Sequence, residues 1–237
     1  MKRRSKRYKN LQSKREAQKE YSLSEAVKIV KDSASAKFDE TVDLAINLGI
    51  DPKKQDQTVR GTVSLPYGSG KKVRILVLTR GEKEKEAKDA GADYVGLEEY
   101  IEKIKQGWLD FDIVVATPDV MSEVGKLGKI LGTKGLMPSP KTGTVTFDIA
   151  STVRSLKAGR IQYKTDKTGN IHVIVGKASF DQEKLEKNIL AVVSELLKVR
   201  PPTVKGQFLK TLTLSTTMGI GCKLDVKEIT ELARKEA

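Results

Sequence analysis

The spacing of apolar residues changes twice along this chain. Apolar and polar residues alternate over 42–48 and again over 59–65. In the middle of the chain the apolar residues instead form continuous runs, at 73–78 and Ile113–Ala116, and the alternation returns after Gly159. Alternation is typical of strands with one buried face. Continuous runs separated by helical stretches are typical of parallel strands that are buried on both faces.

These two patterns predict a domain inserted into another domain. Each flank is too short to bury a core alone, yet each supplies a helix and alternating strands. We therefore predict a discontinuous α+β domain of split β-α-β type from residues 1–67 and 160–237. An inserted α/β domain, Rossmann-like and three-layered, occupies 68–159. The hinges are expected near Pro66 to Gly70 and at Gly159.

Helix signals are found in both predicted domains. Ser22 and Glu25 have capping-box spacing and begin a short helix that ends near Asp32. Asp181 is predicted to cap a longer helix with one apolar stripe, which ends before Pro201. Further helices are predicted at 82–90, 97–106, near 119–131 and near 149–158.

The second flank carries strand signals as well. Residues 161–163 and 171–175 alternate on either side of a turn that contains Gly169, which predicts a β-hairpin. The chain is predicted to finish with two strand-like stretches, QFLKTLTLSTT and CKLDV.

A segment rich in glycine and lysine interrupts the predicted inserted domain. This Gly/Lys segment, residues 125–143 (GKLGKILGTKGLMPSPKTG), has five glycines, two prolines, no acidic residue, and the four lysines Lys126, Lys129, Lys134 and Lys141. Such a composition predicts a loop with little apolar surface whose lysines bind phosphate, and a solvated loop without a ligand is the alternative. It is not a mononucleotide-binding loop. The nearest rival, residues 68–72, has Lys72 where the magnesium-binding hydroxyl belongs.

The charge distribution favours an anionic partner. The net charge is +13, and residues 1–20 alone hold nine Lys or Arg against two Glu. We interpret this basic arm as a flexible, phosphate-binding extension that orders on contact, with a solvated, partly helical leader as the alternative. It has neither the apolar core of a secretory signal nor the hydroxyl content of a transit peptide.

The chain lacks the residues that several classes of function require. The single Cys222 leaves no partner for a disulfide or a cysteine-based metal cluster, and the single His172 lies in a predicted strand without a nucleophile beside it. No run of eighteen apolar residues exists for a membrane span. We expect a cytoplasmic protein without a metal, a cofactor, a membrane or a small-molecule substrate.

Two short blocks in the flanks suit contact with RNA. Lys37 and Phe38 place a cation and an aromatic ring just before a strand, although Phe38 is equally suited to a core. Ser215, Thr216 and Thr217 end a strand and are followed by Met218 and Gly219, with a core position for Met218 as the alternative. Hydroxyls beside a backbone that glycine leaves accessible can bind phosphates and ribose 2′-hydroxyls. Contact with the 2′-hydroxyl is what distinguishes RNA from DNA.

Longer motifs resemble one known family. The stretches KFDETVDLAINLGIDPKK, LGKILGTKGLMPSPKTGTV, GRIQYKTDKTGNIHVIVGK and LSTTMG are similar, in this order, to the bacterial L1 family of ribosomal proteins. The similarity covers nearly the whole chain. Ser139, often Asn in the family, and the stretch 220–222 are departures that affect only local loops.

The resemblance implies a function in translation. It implies a two-domain, non-enzymatic protein, monomeric within the large ribosomal subunit. Such a protein binds large-subunit rRNA as a mobile stalk, contacts deacylated exit-site tRNA and aids its release. Family members also repress translation by binding a similar fold in their own operon mRNA.

The family motifs assign an RNA surface to individual residues. Carried over residue by residue, it comprises Lys37, Phe38, Glu40, Thr41, Asp166, Thr168, Ser215, Thr217, Met218 and Gly219. Thr216, in the same hydroxyl block, and Lys164 complete the set. Glu40 and Asp166 are expected either to accept hydrogen bonds from ribose hydroxyls or base amines, or to orient Lys37 and Lys164. The four lysines of the Gly/Lys segment are expected to make a secondary, electrostatic contact.

Two alternatives come from other classes. A phosphate-handling α/β enzyme would need a catalytic acid–base pair and a coordinated metal around the Gly/Lys segment, which contains no Asp, Glu, His or Cys. A non-specific nucleic-acid-binding protein would not need the hydroxyl and glycine blocks.

Overall fold

The computed structural model describes residues 5–13, 15–16, 19–52 and 54–235. The chain forms a mixed α/β fold with several sheets, and it divides into two compact units. Unit 1 comprises Met1–Gly70 and Ile161–Ala237, and unit 2 comprises Lys71–Arg160.

The helices and strands follow one another along the described chain in this order: α1 (Lys6–Gln12), α2 (Leu23–Ser33), β1 (Thr41–Leu48), β2 (Arg60–Ser64), β3 (Ile75–Leu78), α3 (Lys83–Asp89), β4 (Tyr94–Gly96), α4 (Glu98–Lys105), β5 (Ile113–Ala116), α5 (Met121–Val124), α6 (Gly128–Thr133), α7 (Ile149–Lys157), β6 (Arg160–Lys164), β7 (Asn170–Lys177), α8 (Gln182–Lys198), β8 (Leu209–Thr216), β9 (Cys222–Leu224) and α9 (Val226–Lys235).

Unit 1 is built on a four-stranded antiparallel sheet with the order β7-β1-β8-β9. The even-numbered residues of β1, from Val42 to Leu48, are buried in the core with α2 and α8. Asp43, Ala45 and Asn47 lie on the other side, which we call the open face. The alternation in the sequence is therefore confirmed as a sheet with one buried face.

The predicted hairpin after Gly159 is wrong, although both of its strands exist. β6 is hydrogen-bonded to β2 in a separate two-stranded sheet, whereas β7 pairs with β1. The turn between them does contain Gly169 in the left-handed region, with φ of 81°. Alternation predicts a strand and its buried face but does not identify its partner, which long-range packing selects here.

The helices of unit 1 agree with most of the sequence signals. The Ser22 hydroxyl accepts a hydrogen bond from the Glu25 backbone N–H and begins α2, as predicted. Asp181 does precede α8, but its side chain does not cap the helix, because its carboxylate pairs with Lys184 Nζ at 2.7 Å. Helix α9 was not predicted, although the Asp225 side chain accepts hydrogen bonds from backbone N–H groups at its start.

The basic arm differs from the flexible extension expected from its charge. Residues 1–4, 14 and 17–18 lie outside the described residues. Between them α1 forms a helix in which Leu11 is buried in the core of unit 1. The Arg15 guanidinium donates to the Gly221 carbonyl oxygen. A basic composition did not reveal this docking because it depends on the few apolar side chains of the arm, Tyr8 and Leu11, which pack against the core.

Unit 2 is built on a three-stranded sheet with the order β4-β3-β5. β3 is parallel to both neighbours, as the continuous apolar runs predicted. Ile75 and Val77 pack with α3 and α7, whereas Leu76 and Leu78 pack with apolar residues of α4, α5 and α6. Helical layers therefore cover both faces of the sheet.

The Gly/Lys segment is not a single loop. Its first part forms a 3-10 turn and α6, in which Leu127 and Leu131 are fully buried. The expectation of little buried apolar surface is wrong here, because the leucines recur at helical spacing between the lysines. Among the described helices, none combines the length and apolar character needed to cross a bilayer.

Candidate nucleic-acid interface

A buried carboxylate organises one end of the unit 1 sheet. Glu40 is 1% exposed, and its Oε1 accepts hydrogen bonds from the backbone N–H groups of Ser35 and Ala36, each at 2.9 Å. Its Oε2 accepts one from the Met218 N–H, also at 2.9 Å. Burial alone would raise the pKa of Glu40, but the hydrogen bonds from Met218, Ala36 and Ser35 outweigh it, and the pKa is lowered. The ionised carboxylate thus holds two distant loops together.

Strands β1 and β8 meet directly above this carboxylate. The Thr217 N–H donates to the Thr41 carbonyl oxygen at 3.1 Å, and the Thr41 N–H donates to Thr217 Oγ1 at 3.1 Å. Lys177 Nζ donates to Thr41 Oγ1 at 2.8 Å. The hydroxyls of Thr41 and Thr217 are therefore held in place by the backbone and by a cation.

Exposed side chains surround this junction. Phe38 is 56% exposed and Met218 is 46% exposed, so neither is a core residue. A Cβ on Gly219 would lie 2.1 Å from Thr216 Oγ1 and 2.5 Å from Ser33 Oγ, so only glycine allows this close approach. We call the surface formed by Lys37, Phe38, Thr41, Ser215, Thr217, Met218 and Gly219 the Thr217 ledge.

Helix α1 brings a further cation to this ledge. Arg7 Nη1 donates to the Met218 carbonyl oxygen at 2.9 Å and to Ser35 Oγ at 3.2 Å. Sequence reasoning treated Arg7 as one of many charges in the arm. The signal that identifies it is the helical spacing of Tyr8 and Leu11, which both pack against the core of unit 1.

The Asp166 turn, residues 166–170, forms a second cluster. Asp166 Oδ1 accepts hydrogen bonds from the backbone N–H groups of Thr168 and Asn170, at 2.8 and 2.7 Å, and the Thr168 hydroxyl donates to it as well. These hydrogen bonds, led by the one from the Asn170 N–H, lower the pKa of Asp166 to about 2. Asn170 in turn accepts a hydrogen bond of 2.6 Å from Asn47 Nδ2.

The two clusters lie at opposite ends of β1. The ledge adjoins Thr41, and the Asp166 turn adjoins Asn47, which pairs with Asn170. Thr41 and Asn47 are six residue steps apart along the strand, a distance of about 20 Å at the usual rise per residue. The sequence-predicted RNA residues therefore form two clusters rather than one.

The open face of the sheet connects them. The exposed His172 and the partly exposed Thr213 lie opposite Ala45, and the exposed Thr211 lies opposite Asn47. Sequence reasoning did not select Thr211 and Thr213, although their alternation in β8 already placed them on the same face as Ser215 and Thr217. A continuous polar strip therefore runs between the two ends of β1.

The chain is similar in sequence to a known protein family. A family model described as the ribosomal protein L1p/L10e family matches residues 30–220. The chain belongs to this family. The large ribosomal subunit protein uL1 of Kosmotoga olearia (strain ATCC BAA-1733 / DSM 21960 / TBF 19.5.1) is 52% identical over 231 residues, which cover 98% of this chain and 100% of that protein.

Membership of the L1p/L10e family confirms two predictions from the sequence. The resemblance read from the motifs is correct, and the chain is a ribosomal protein of the translation machinery rather than an enzyme. Within the described residues, no group of three or more His, Cys, Asp or Glu side chains is arranged to hold a metal ion. The matched region includes the ledge and the Asp166 turn but not α1.

Two residues carried into the predicted site are buried. Glu40 supports the ledge from below and does not reach its surface, and Thr216 is 4% exposed because it points to the helical face of β8. Strand alternation separates Thr216 from Ser215 and Thr217 on either side. Both residues are therefore positioned to shape the ledge rather than to contact a ligand.

The remaining predicted residues are accessible cations. Lys37 and Lys164 are exposed in unit 1, and the four lysines of the Gly/Lys segment are exposed in unit 2. Asp166 was expected to orient Lys164, but its carboxylate is engaged within its own turn by Thr168 and Asn170. Lys164 thus points into solvent from the end of β6.

Proposed function

We propose that this L1p/L10e family member is a structural constituent of the large ribosomal subunit and works in the cytoplasm as a monomer within that particle. The 52% identical relative is by name a large-subunit protein. In this proposal unit 1 binds a folded segment of large-subunit rRNA through the Thr217 ledge.

One observation carries the RNA proposal. The Glu40 carboxylate fixes the Met218 backbone, so that the hydroxyl of Thr217 and the apolar surfaces of Phe38 and Met218 are presented on a rigid strand end. Folded RNA is recognised by shape, by stacking on aromatic side chains and by hydrogen bonds to the 2′-hydroxyl. A preorganised ledge of neutral donors and apolar side chains matches that chemistry.

The Asp166 turn is proposed as the second end of the same contact. The Thr211 and Thr213 hydroxyls on the open face lie between it and the ledge. An interface of about 20 Å along β1 spans more than a single nucleotide, which favours a pre-folded RNA over an isolated base.

The exposed lysines of unit 2 are proposed to strengthen the association without selecting a sequence. Lys126, Lys129, Lys134 and Lys141 are mobile point charges, whose contribution falls as salt screens the phosphates. Recognition thus rests on unit 1, and unit 2 adds electrostatic attraction.

Contact with exit-site tRNA and repression of the operon mRNA are proposed from the family resemblance. If the mRNA presents the same fold as the rRNA site, the two RNAs should compete for the Thr217 ledge. A competition assay in which the mRNA leader fails to displace the rRNA fragment would contradict the repression proposal.

The two units are further proposed to be separate folding domains, with the inserted domain at 68–159. Deleting 68–159 and joining residues 67 and 160 should leave the sheet of β7, β1, β8 and β9 intact, because these strands all lie in unit 1. A disordered product by circular dichroism would contradict the split-domain proposal.

Footprinting on large-subunit rRNA is the decisive experiment. The full-length protein should protect one folded region, and Thr217→Ala should raise the protein concentration needed for protection about fivefold or more at physiological salt, whereas the hydroxyl-retaining Thr217→Ser should preserve most of the affinity. Lys134→Ala should weaken protection everywhere without moving it. Equal protection of random duplex DNA would reject the proposed function.

A further inference from the structure

A second polar site lies in unit 2, at the carboxyl ends of its strands. With the order β4-β3-β5, the chain passes from β3 to β4 on one side and then crosses to β5 on the other. In open α/β sheets the crevice where the strand order reverses is where ligands bind. Here that crevice lies between the ends of β3 and β5, where Leu78 pairs with Ala116.

The residues that follow these two strands enclose a cavity. Its volume is about 310 Å³, and the polar residues that line it are Thr79, Arg80, Glu82, Lys83, Thr117 and Asp119. A cavity of this size is at the lower end of the range for small-molecule sites, about 300–1,000 Å³, and accommodates a single nucleotide.

One hydroxyl in the crevice lacks a partner. Thr79 is fully buried, and its Oγ1 has no hydrogen-bond partner within the described part of the chain. Thr117, also buried, follows the strand beside it, and its backbone N–H donates to the Leu78 carbonyl oxygen. Burying an unsatisfied hydroxyl is unfavourable, so such groups usually meet a ligand or a water molecule.

Some charged side chains of the crevice already form ion pairs, and others can still bind a ligand. Arg80 is already compensated by Glu123 at 2.7 Å and by Glu98 at 3.4 Å. Lys83 Nζ instead lies 4.3 Å from the centre of the Phe147 ring, which leaves its three donors available for an anion. Glu82 and Asp119 are exposed at the rim, where carboxylates accept hydrogen bonds from sugar hydroxyls.

We propose that this crevice binds the ribose phosphate of a nucleotide. The phosphate lies against Lys83 and the Thr79 hydroxyl, and the ribose hydroxyls bind Asp119 or Glu82. The nucleotide is either free or one residue of an RNA strand, since both offer the same chemistry. This site is separate from the Thr217 ledge and does not use the Gly/Lys segment.

Titration of the full-length protein, followed by amide chemical shifts, tests the site. Uridine 5′-monophosphate should produce saturable shifts at Thr79 and Thr117, ribose 5-phosphate should shift the same amides, and uridine without phosphate should bind more weakly. Thr79→Val keeps the side-chain shape and should weaken binding about 3- to 10-fold, the loss of one hydrogen bond. Lys83→Gln should weaken the binding of both phosphorylated probes, and Lys105→Gln, an exposed lysine at the end of α4, is the charge-matched control.

The Thr79→Val variant also has a stability readout. Because the Thr79 hydroxyl has no partner among the described residues, the melting temperature of the variant should stay equal to that of the wild type or rise. No saturable shift with up to about 10 mM nucleotide, a concentration that detects even millimolar affinity, would overturn the proposal. So would nucleotide affinity that Thr79→Val leaves unchanged.

A short oligouridylate distinguishes the two sources of the nucleotide. Much tighter binding of the oligonucleotide than of the monophosphate assigns the crevice to an RNA strand, and equal binding assigns it to a free nucleotide. The rRNA footprint of unit 1 should be the same in Thr79→Val and in the wild type. A failure of the crevice proposal is thereby separated from a failure of the ledge proposal.

Discussion

The carboxylate of Glu40 accepts a hydrogen bond of 2.9 Å from the backbone N–H of Met218, which lies 178 residues further along the chain. The same carboxylate binds the N–H groups of Ser35 and Ala36. An acidic residue thus sits beneath a surface proposed to bind a polyanion, and its charge is satisfied from within the protein.

Glu40→Gln should weaken RNA binding even though it removes a negative charge. An amide has only one acceptor oxygen, so at least one of the three backbone N–H groups loses its partner, at a cost of about 1–3 kcal/mol in the free energy of unfolding. Urea unfolding and filter binding of rRNA measure the two effects. The matched control is Asp32→Asn, an exposed charge on α2. Tighter RNA binding by Glu40→Gln at unchanged stability would contradict the supporting role of Glu40.

The ledge and the lysines should differ in salt dependence. Thr217→Ala and Met218→Asp should each cost about 1 kcal/mol or more of binding free energy, because they break short-range fit. Thr217→Ala, which leaves the charge unchanged, should do so with little change in the slope of log K against log salt. Alanine at Lys126, Lys129, Lys134 or Lys141 should weaken binding modestly. Replacing a lysine that contacts a phosphate should reduce the magnitude of this slope by about 0.7–0.9. Equal salt sensitivity in both sets would refute the division between recognition and attraction.

Gly219→Ala should distort the ledge. The new Cβ would lie within 2.5 Å of the Thr216 and Ser33 hydroxyl oxygens, and these buried side chains or the backbone must shift to relieve the overlap, at a cost of about 1–3 kcal/mol. Thermal unfolding and rRNA binding should both report the loss. Gly125→Ala provides the control, since its Cβ would meet nothing within 4 Å. Similar behaviour of the two variants would show that close packing at Gly219 is unimportant.

Leu11→Ala should release helix α1 from unit 1. A helix of seven residues is not stable alone, and truncating this buried leucine removes about 2 kcal/mol or more of packing. Burial raises the pKa of the Cys222 thiol, which lies next to the Arg15 contact at Gly221, so its labelling by a thiol reagent should be slow in the wild type and faster in the variant. Lys9→Ala, at an exposed position of the same helix, should label at the wild-type rate.

The Asp166 turn should lose its structure only when the pH is low enough to protonate Asp166. The pKa of Asp166 is lowered from 3.8 to about 2, so its ionised form stabilises the folded state. That contribution is complete above about pH 4 and is lost as the pH falls through about 2. Carboxyl NMR titration should give a midpoint near 2, with the amides of Thr168 and Asn170 following it. A midpoint near the ordinary aspartate value would show that the turn is not formed in solution, and Asp166→Asn serves as the assignment control.

Much of the local structure could be predicted from the sequence. Alternation identified β1 and its buried residues, the Ser22 hydroxyl marked the start of α2, and continuous apolar runs indicated the parallel β3 and β5. These features are local because they depend on the period of the side chains and on the few residues that follow a cap.

The candidate site was predicted only as a set of residues. The blocks around Phe38 and Thr217 were identified, but Thr216 and Glu40 turned out to be buried, and Arg7 was not singled out. A motif names residue types, and whether each one reaches the surface depends on which face its strand presents and on what packs beneath it.

The sequence by itself determined most of the strands and helices and which of their faces are apolar, since these depend on neighbours within a few positions. The tertiary structure alone decided that β6 joins β2, that Glu40 meets Met218, and that Thr79 follows a strand beside Thr117. Each of these pairings joins residues far apart in the chain. They are set by the packing of whole sheets and helices, which local periodicity does not encode.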